Sequence, residues 1–472
     1  MQRSPLSLGA LGALIGAAAL LAGCASVDPE AGWSAVQATT RPHLPQELRW
    51  SRSSEDQAAI DQRVAALLSQ PLGADDAVQL ALLNHRGLQA RLHDLGIAAA
   101  DLAQAGRLPN PGFAFGRSRQ GDEVELERTL HFSLLRLLTL PMARQAQARA
   151  NERVQREVAM DVLTLAADTR KAWVMAVAAE EAVRYMRQVQ DAAEASAELA
   201  RRMEQVGNFN RLMRLREQSF YADAALGLAR AQALQQATRE RLTRQLGLWG
   251  TQTAFRLPER LPDLPAAPRE RPDIERQALA QRLDVAAARL QVEHSARSLG
   301  LTQATRWVNV FEIERSHNTS NEGPRQTGWE IGFELPLFDM GDARVARADS
   351  SYRQALQRAA QTAIEARSEV RQAYASYRNA WDIAQHQRDE IVPLKKRISD
   401  EQLLRYNGML IGVFELLADA RSQITAVAAS IEALRDFWLA QAELEMALIG
   451  KAAPGLPSGA PATAAAAAAD PH

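Results

Sequence analysis

The chain has little of several residue types that common classes of protein depend on. It holds one cysteine in 472 residues, so it can form no internal disulfide and no cysteine-ligated metal cluster. Aromatic residues make up only 5%, and the formal net charge is −1. A protein that binds nucleic acid carries a strong basic bias. We therefore expect no nucleic-acid partner.

Motifs that carry chemistry are also missing. The sequence has no HExxH zinc motif, no phosphate-binding GK[ST] loop and no nucleophile elbow. Its eight histidines include no pair at helical spacing, and its ten methionines form no dense cluster. We expect no enzymatic activity, no cofactor and no metal site.

The only long apolar run lies at the start of the sequence. Arg3 gives a short basic segment, residues 6–21 are apolar and small, and Leu-Ala-Gly precedes Cys24. This order predicts a signal peptide over residues 1–23. An uncleaved membrane anchor or a buried thiol are the alternatives. Leu-Ala-Gly-Cys resembles the lipobox of bacterial lipoproteins, and this resemblance implies lipidation of Cys24. Ala25 in place of Asp implies the outer membrane.

Composition divides the rest of the chain. Residues 24–73 predict a lipid-anchored N-terminal linker with a short helix over 55–68. Five prolines predict a semi-rigid connector over 251–272, and the low-complexity tail 451–472 is expected to be disordered. The segments between them, 74–250 and 273–450, are interpreted as two repeats.

Each repeat shows the same predicted order: helix, strand hairpin, long helix, glycine-containing turn, helix. The hairpins show alternating apolar residues around turns at 120–122 and 321–324. The stretch from Pro141 to Gly207 allows a helix of about 65 residues. A helix of that length has no place in a globular core and indicates a coiled coil or a helical barrel.

Three stretches carry a family resemblance: residues 107–111 (RLPNP), 335–349 (LPLFDMGDARVARAD) and 405–423 (RYNGMLIGVFELLADARSQ). With the lipobox, they resemble the TolC-like outer membrane efflux protein family over about residues 74–450. The second repeat departs from the pattern, because Arg306 stands where the first repeat has Pro109. The first helical turn is a poor match to the second.

The resemblance implies a mainly α fold with a small β part, built as long antiparallel helical hairpins in two structural repeats. Four strands per chain would contribute to a trimeric 12-stranded outer-membrane β-barrel, continued by a periplasmic α-helical barrel. Four strands cannot close a barrel, but about twelve from three chains can. The alternative is a small soluble sheet that caps a helix bundle.

The function that this implies is a passive duct in the outer membrane. Substrate would arrive from an inner-membrane transporter through a periplasmic adaptor protein, and the chain would form a homotrimer in contact with outer-membrane lipid. A structural coiled-coil envelope lipoprotein is one alternative, and the outer-membrane component of a type I secretion system is another. The amphipathic strand hairpins favour the duct, since a structural coiled-coil lipoprotein needs no such hairpins.

The two helical turns are predicted to dock the adaptor, because exposed apolar residues at a turn suggest a protein partner. Packing of Leu410 and Ile411 between neighbouring hairpins is the alternative. The residues of these turns are Val206, Gly207, Asn208, Phe209, Gly408, Met409, Leu410, Ile411 and Gly412.

A closed aperture is predicted beside the second turn. Glu415 and Asp419 are four residues apart and share one helix face. The resemblance places an aromatic and an acidic aperture residue at Tyr406 and Glu415. Three-fold symmetry would then bring carboxylates together in a ring that attracts cations. An ordinary solvated acidic face is the alternative.

Overall fold

A computed structural model describes residues 29–308 and 310–451 of the chain. Cys24, the predicted signal peptide over residues 1–23 and residues 452–472 lie outside the described residues. The predictions made for them therefore stay predictions.

The described chain is mainly helical with one small sheet, as the sequence predicts. The helices are α1 Pro29–Thr40, α2 Ser54–Leu68, α3 Ala74–Asn84, α4 Arg86–Ala105, α5 Leu134–Gln205, α6 Arg211–Leu246, α7 Ile274–Gln281, α8 Leu283–Ala304, α9 Asp342–His386, α10 Val392–Asn407 and α11 Val413–Ile449. The strands are β1 Gly112–Gln120, β2 Glu123–Ser133, β3 Phe311–Ser320 and β4 Gln326–Phe333.

The elements belong to two compact units. Within the described residues, the sheet unit consists of 29–36, His93–Val158 and Val285–Thr362. The helical unit consists of Gln37–Leu92, Ala159–Asp284 and the described residues 363–451.

Helix α1 was not predicted, because its segment has the composition of a linker. Its side chains Trp33 and Val36 are buried, and burial of an apolar stripe stabilises a short helix that propensity alone would not. The predicted helix that follows is confirmed as α2. A capping box fixes its start, in which Ser53 and Asp56 each accept a hydrogen bond from the other's backbone N–H.

The helical spacing of leucines over 75–106 predicts one helix, but the structure has two, α3 and α4, which are separated by an extended residue at His85. The imidazole Nδ1 of His85 accepts a hydrogen bond from the Leu88 N–H at 3.1 Å and so caps α4. The amide of the preceding Asn84 donates to the carbonyl oxygens of Leu246 and Gly247, at 3.1 and 2.8 Å. The break in the helix thus satisfies carbonyl groups at the end of α6.

Tryptophan side chains hold extended segments onto the core of the helical unit. Trp173 donates from Nε1 to the Leu72 carbonyl at 2.7 Å. Trp381 and Trp438 donate to the carbonyl oxygens of Pro265 and Pro262 in the proline-rich connector, at 3.1 and 3.0 Å. Two buried clusters lie beneath these contacts, one that contains Trp173 and Leu242 and one that contains Trp381 and Phe437.

The same ion pair occurs twice in the helical unit, about 200 residues apart in the sequence. Arg170 in α5 binds Asp75 in the first turn of α3 at 3.0 Å. Arg371 in α9 binds Glu275 in the first turn of α7 at 3.2 Å. Arg170 and Arg371 occupy matching positions in the two sequence repeats, so this match corresponds to a repeated contact.

A second contact recurs in a changed form. Arg282, between α7 and α8, donates to the Ala447 carbonyl near the end of α11 at 3.1 Å, as Asn84 does to the end of α6. Its guanidinium also binds Asp284 at 2.6 Å and Glu369 at 2.7 Å, and its side chain is only 1% exposed. A buried charge of this kind is tolerated because it is paired on several sides.

The long second-repeat helix changes its hydrogen bonding where Pro393 predicts a kink. The residues Gln387–Ile391 form a single π turn, and Pro393 follows in the first turn of α10. Proline lacks the N–H that an α-helix needs at this point, and a π turn is a common accommodation.

The strands form one antiparallel sheet in the order β1-β2-β3-β4. The first hairpin turns at the predicted place, with Gly121 at φ 63°, a conformation that glycine adopts without cost. The register runs without interruption from Gly112 opposite His131 to Gln120 opposite Glu123. This register decides which side chains share a face.

Candidate channel surfaces

One face of the sheet is apolar and exposed. The register places Phe113 opposite Leu130, Phe132 opposite Ile313, and Ile313 opposite Ile331. Directly paired residues share a face. The exposed fractions are large for apolar side chains, at 67% for Phe113, 65% for Phe333 and 73% for Trp329. An exposed apolar patch of this kind marks a surface that a membrane or a protein partner covers.

The charged residues of the sheet are divided by sign between its faces. The strands contain four arginines, and all of them lie on the apolar face: Arg117, Arg119, Arg128 and Arg315. The strands contain six glutamates, and all of them lie on the opposite face: Glu123, Glu125, Glu127, Glu312, Glu314 and Glu330. The sheet therefore has an apolar face with a basic part and a polar, acidic face.

The sheet also has two open edges, β1 and β4. Unpaired backbone groups at the edge of an apolar strand can form hydrogen bonds with a strand of another chain unless something covers them. The strands contain 9, 11, 10 and 8 residues, close to the roughly 9–11 residues of a tilted strand that crosses a bilayer.

Exposed apolar residues continue beyond the strands. Leu335, Leu337 and Phe338 follow β4, with exposed fractions of 63%, 69% and 101%. Leu138 in the first turns of α5 is 68% exposed. Both groups adjoin the helix-side ends of their strands in the sequence, so the apolar surface of the sheet unit extends past the strands. Among the described residues, no helix combines the length and the hydropathy that a membrane crossing requires.

The first predicted docking turn joins α5 to α6. The N–H of Asn208 donates to the Met203 carbonyl at 2.9 Å and that of Gly207 to Glu204 at 3.0 Å. Gly207 has φ 78°, which completes the Schellman arrangement of a helix C-terminus. Val206 is 71% exposed, whereas Phe209 is half-buried.

The second predicted docking turn joins α10 to α11 with the same hydrogen bonds. The N–H of Leu410 donates to Arg405 and that of Met409 to Tyr406, both at 2.9 Å. The left-handed residue here is Met409, at φ 57°, while Gly408 has φ −80°. Met409 and not Gly408 is thus the structural counterpart of Gly207.

Most of the second turn is exposed. Met409 and Leu410 are exposed by 92% and 77%. Ile411 is half-buried, and the exposed Gly412 is the extended N-cap residue of α11. The structure therefore places Met409 and Leu410 in one exposed apolar turn.

The predicted aperture residues lie next to this turn. Tyr406 near the end of α10 is 36% exposed. Glu415 in the first turn of α11 is exposed and Asp419, one turn further, is half-buried. Neither carboxylate forms a salt bridge within the described part of the chain. They are available for contacts outside one chain.

A buried ion pair near the turns was not anticipated from the sequence. Glu217 in α6, 3% exposed, binds Arg421 in α11 at 2.8 Å and accepts a hydrogen bond from Ser196 in α5 at 2.8 Å. The Arg421 guanidinium also lies 4.3 Å from the centre of the Phe220 ring. Arg421 stands two residues after Asp419 in the motif that carries the resemblance, which was the available signal.

An exposed charge cluster precedes the first turn. Arg201 and Arg202 both bind Glu198, with nitrogen–oxygen distances of 2.7 Å. Their hydrogen bonds lower the pKa of Glu198 to about 2. Glu198 therefore stays ionised at any physiological pH.

The fold is shared with solved outer membrane channels. The MtrE channel of Neisseria gonorrhoeae, in its open state, is similar with a TM-score of 0.67 and 18% identity, over 80% of this chain and 89% of that one. The VceC outer membrane protein of Vibrio cholerae gives 0.65 and 16%, over 83% and 96%. The outer-membrane channel OprN gives 0.66 and 16%, over 87% and 95%.

These similarities cover nearly the full length of each channel. No protein-family model and no curated protein sequence matches the chain. At identities of 15–20%, the likeness concerns the fold. The chain has the TolC-like fold of outer membrane efflux channels.

Proposed function

We propose that this chain is the outer-membrane channel of a tripartite efflux system. It conducts substrate passively from a periplasmic adaptor and an inner-membrane transporter to the outside, without chemistry of its own. The observation that carries the proposal is the two-faced sheet, with exposed apolar residues such as Phe113 and Trp329 on one face and six glutamates on the other.

A closed barrel uses both faces of such a sheet. Three copies supply about twelve strands, and pairing β4 of one copy with β1 of the next removes the open edges. The apolar face then contacts lipid, and the acidic face lines the water-filled interior. The exposed residues that follow β4, such as Phe338, would lie where the barrel meets the lipid headgroups.

The helical turns and the lipid anchor complete the proposal. The exposed turn at Met409 and Leu410 would dock the adaptor, together with the first turn at Val206 to Phe209. Tyr406, Glu415 and the weaker candidate Asp419 would form the aperture. A lipidated Cys24 would hold the N-terminus on the outer membrane, but the strands could anchor the trimer without it.

Conductance and mass test the proposal together. Detergent-solubilised wild-type protein should have a mass near three chains and should conduct ions after addition to a planar bilayer. Phe113→Ala and Trp329→Ala keep the charge of the sheet but remove apolar area from its lipid face, and they should lower the yield of inserted channels. A monodisperse monomer without conductance would contradict the channel and would favour a structural envelope lipoprotein.

A further inference from the structure

Three arginines lie in a diagonal row across neighbouring strands on the apolar face. Arg117 in β1 is opposite Leu126, two residues before Arg128 in β2. Arg128 is opposite His317, two residues after Arg315 in β3. Diagonal neighbours on adjacent strands are roughly 7–8 Å apart. We call Arg117, Arg128 and Arg315 the arginine diagonal.

The arginine diagonal has no counter-charge in the sheet. Every glutamate of the four strands lies on the other face, and none of the three guanidinium groups forms a salt bridge within the described residues. The nearby Arg119 differs, since its guanidinium is 3.9 Å from Asp122. Three guanidinium groups this close together on one face of the sheet repel one another, so the row calls for an anion from outside the chain.

The position of the row along the strands indicates which anion. Arg128 and Arg315 lie at the middle of β2 and β3, and Arg117 lies one residue from the middle of β1. The exposed apolar residues of this surface extend in the other direction, past the helix-side ends of the strands to Leu138 and Phe338. The row therefore lies in the half of the apolar surface that is nearer to the hairpin turns. On a lipid-facing surface, arginine is costly at the bilayer midplane and is tolerated near the headgroups. Its long side chain also reaches toward the interface.

Phosphate fits this position and this chemistry. The guanidinium group binds phosphate through two parallel N–H bonds and remains charged at any physiological pH. Spacings of roughly 7–8 Å suit a headgroup that carries more than one phosphate, or two adjacent headgroups.

We propose that the arginine diagonal binds the phosphate groups of an anionic lipid in the leaflet nearest the hairpin turns. This inference rests on the proposed function, because only a sheet in a membrane meets such a lipid.

The test compares two triple variants of the full-length, detergent-solubilised protein. The first removes the arginine diagonal, and the matched control removes three exposed arginines of α9. The substitutions are Arg117→Gln, Arg128→Gln and Arg315→Gln in the first, and Arg347→Gln, Arg358→Gln and Arg367→Gln in the control.

Binding of diphosphorylated lipid A is measured by native mass spectrometry. Each basic side chain near a charged lipid surface strengthens binding by roughly fivefold. Wild type and control should therefore bind about 100-fold more tightly than the diagonal variant. Dephosphorylated lipid A should bind weakly and equally to all three. Equal binding by wild type and the diagonal variant, or displacement of the lipid by inorganic phosphate at equal concentration, would overturn the proposal.

Channel formation separates this inference from the function beneath it. The diagonal variant should form channels of wild-type conductance in neutral phosphatidylcholine bilayers, because its substitutions face lipid. If wild type and the diagonal variant both form channels but bind the lipid equally, only the role of the arginine diagonal is refuted. If wild type forms no channel, the proposed function is refuted. Arg117→Lys, Arg128→Lys and Arg315→Lys together keep the charge. If the Gln variant fails to fold, the Lys variant is used in its place. The proposal would be overturned if the Lys variant bound diphosphorylated lipid A no more tightly than the control variant binds dephosphorylated lipid A.

Discussion

Single residues explain why the repeat is visible in the structure although few sequence identities mark it. Arg170 and Arg371 make the same ion pair in both repeats, and their match can be found in the sequence. The contacts of Asn84 and Arg282 with the ends of α6 and α11 could not be found in the sequence. An amide makes this contact in one repeat and a guanidinium in the other, and both donate to a carbonyl oxygen at the end of a helix. Sequence comparison detects shared residue types, not shared hydrogen bonds.

The paired burial of Arg282 predicts a large effect on stability. Arg282→Ala removes one donor from each of Asp284, Glu369 and the Ala447 carbonyl. Breaking a buried pair costs about 3–5 kcal/mol, and thermal unfolding of the solubilised protein should show this loss. Arg276→Ala is the control, because its side chain is 80% exposed and its ion pair is worth about 1 kcal/mol or less. Equal effects of the two substitutions would refute the structural role of Arg282.

The elements show where pattern reasoning succeeds and where it fails. The strands, their first turn and the long helices follow from alternation and from the absence of proline over 142–257. The division at His85 does not, because the residues on both sides of it keep helical spacing; it depends on a contact with α6. Helix α1 was missed for the same reason, since burial and not composition stabilises it.

The second helical turn carries a backbone strain that can be relieved. A non-glycine residue in the left-handed region, such as Met409 at φ 57°, costs about 1 kcal/mol. Met409→Gly should therefore raise the free energy of unfolding by up to about that amount, less the entropy that glycine adds to the unfolded chain. Met409→Ala keeps the Cβ atom and should give no gain. A gain with Ala that matches the gain with Gly would show that strain is not the cause.

Docking at this turn is a separate expectation about the same element. Leu410→Asp should abolish efflux in cells while the protein still inserts in the outer membrane, because a carboxylate replaces an exposed apolar contact. The measurement uses a strain from which the gene has been deleted and which has become sensitive to an exported compound. Leu410→Met keeps the apolar surface, so its expression in this strain should restore tolerance to that compound. Wild-type tolerance with Leu410→Asp would remove Leu410 from the docking surface.

At the scale of the whole molecule, the sequence predicted the TolC-like fold, which solved outer membrane channels confirm. The docking and aperture roles remain predictions, because docking and a closed aperture would both involve further chains. Within each strand the division of charge follows from the alternation in the sequence, whereas the register alone shows that the glutamates of all four strands share one face.

Water access to the two faces of β2 tests the central claim most directly. Glu127→Cys and Leu130→Cys lie three residues apart on opposite faces, and the wild-type chain, with Cys24 as its only cysteine, gives the background. We predict that a charged, membrane-impermeant thiol reagent lowers the conductance of Glu127→Cys channels and leaves Leu130→Cys and wild-type channels unchanged. Modification of Leu130→Cys but not of Glu127→Cys, or of both to the same extent, would contradict a sheet with one face in lipid and the other along the pore.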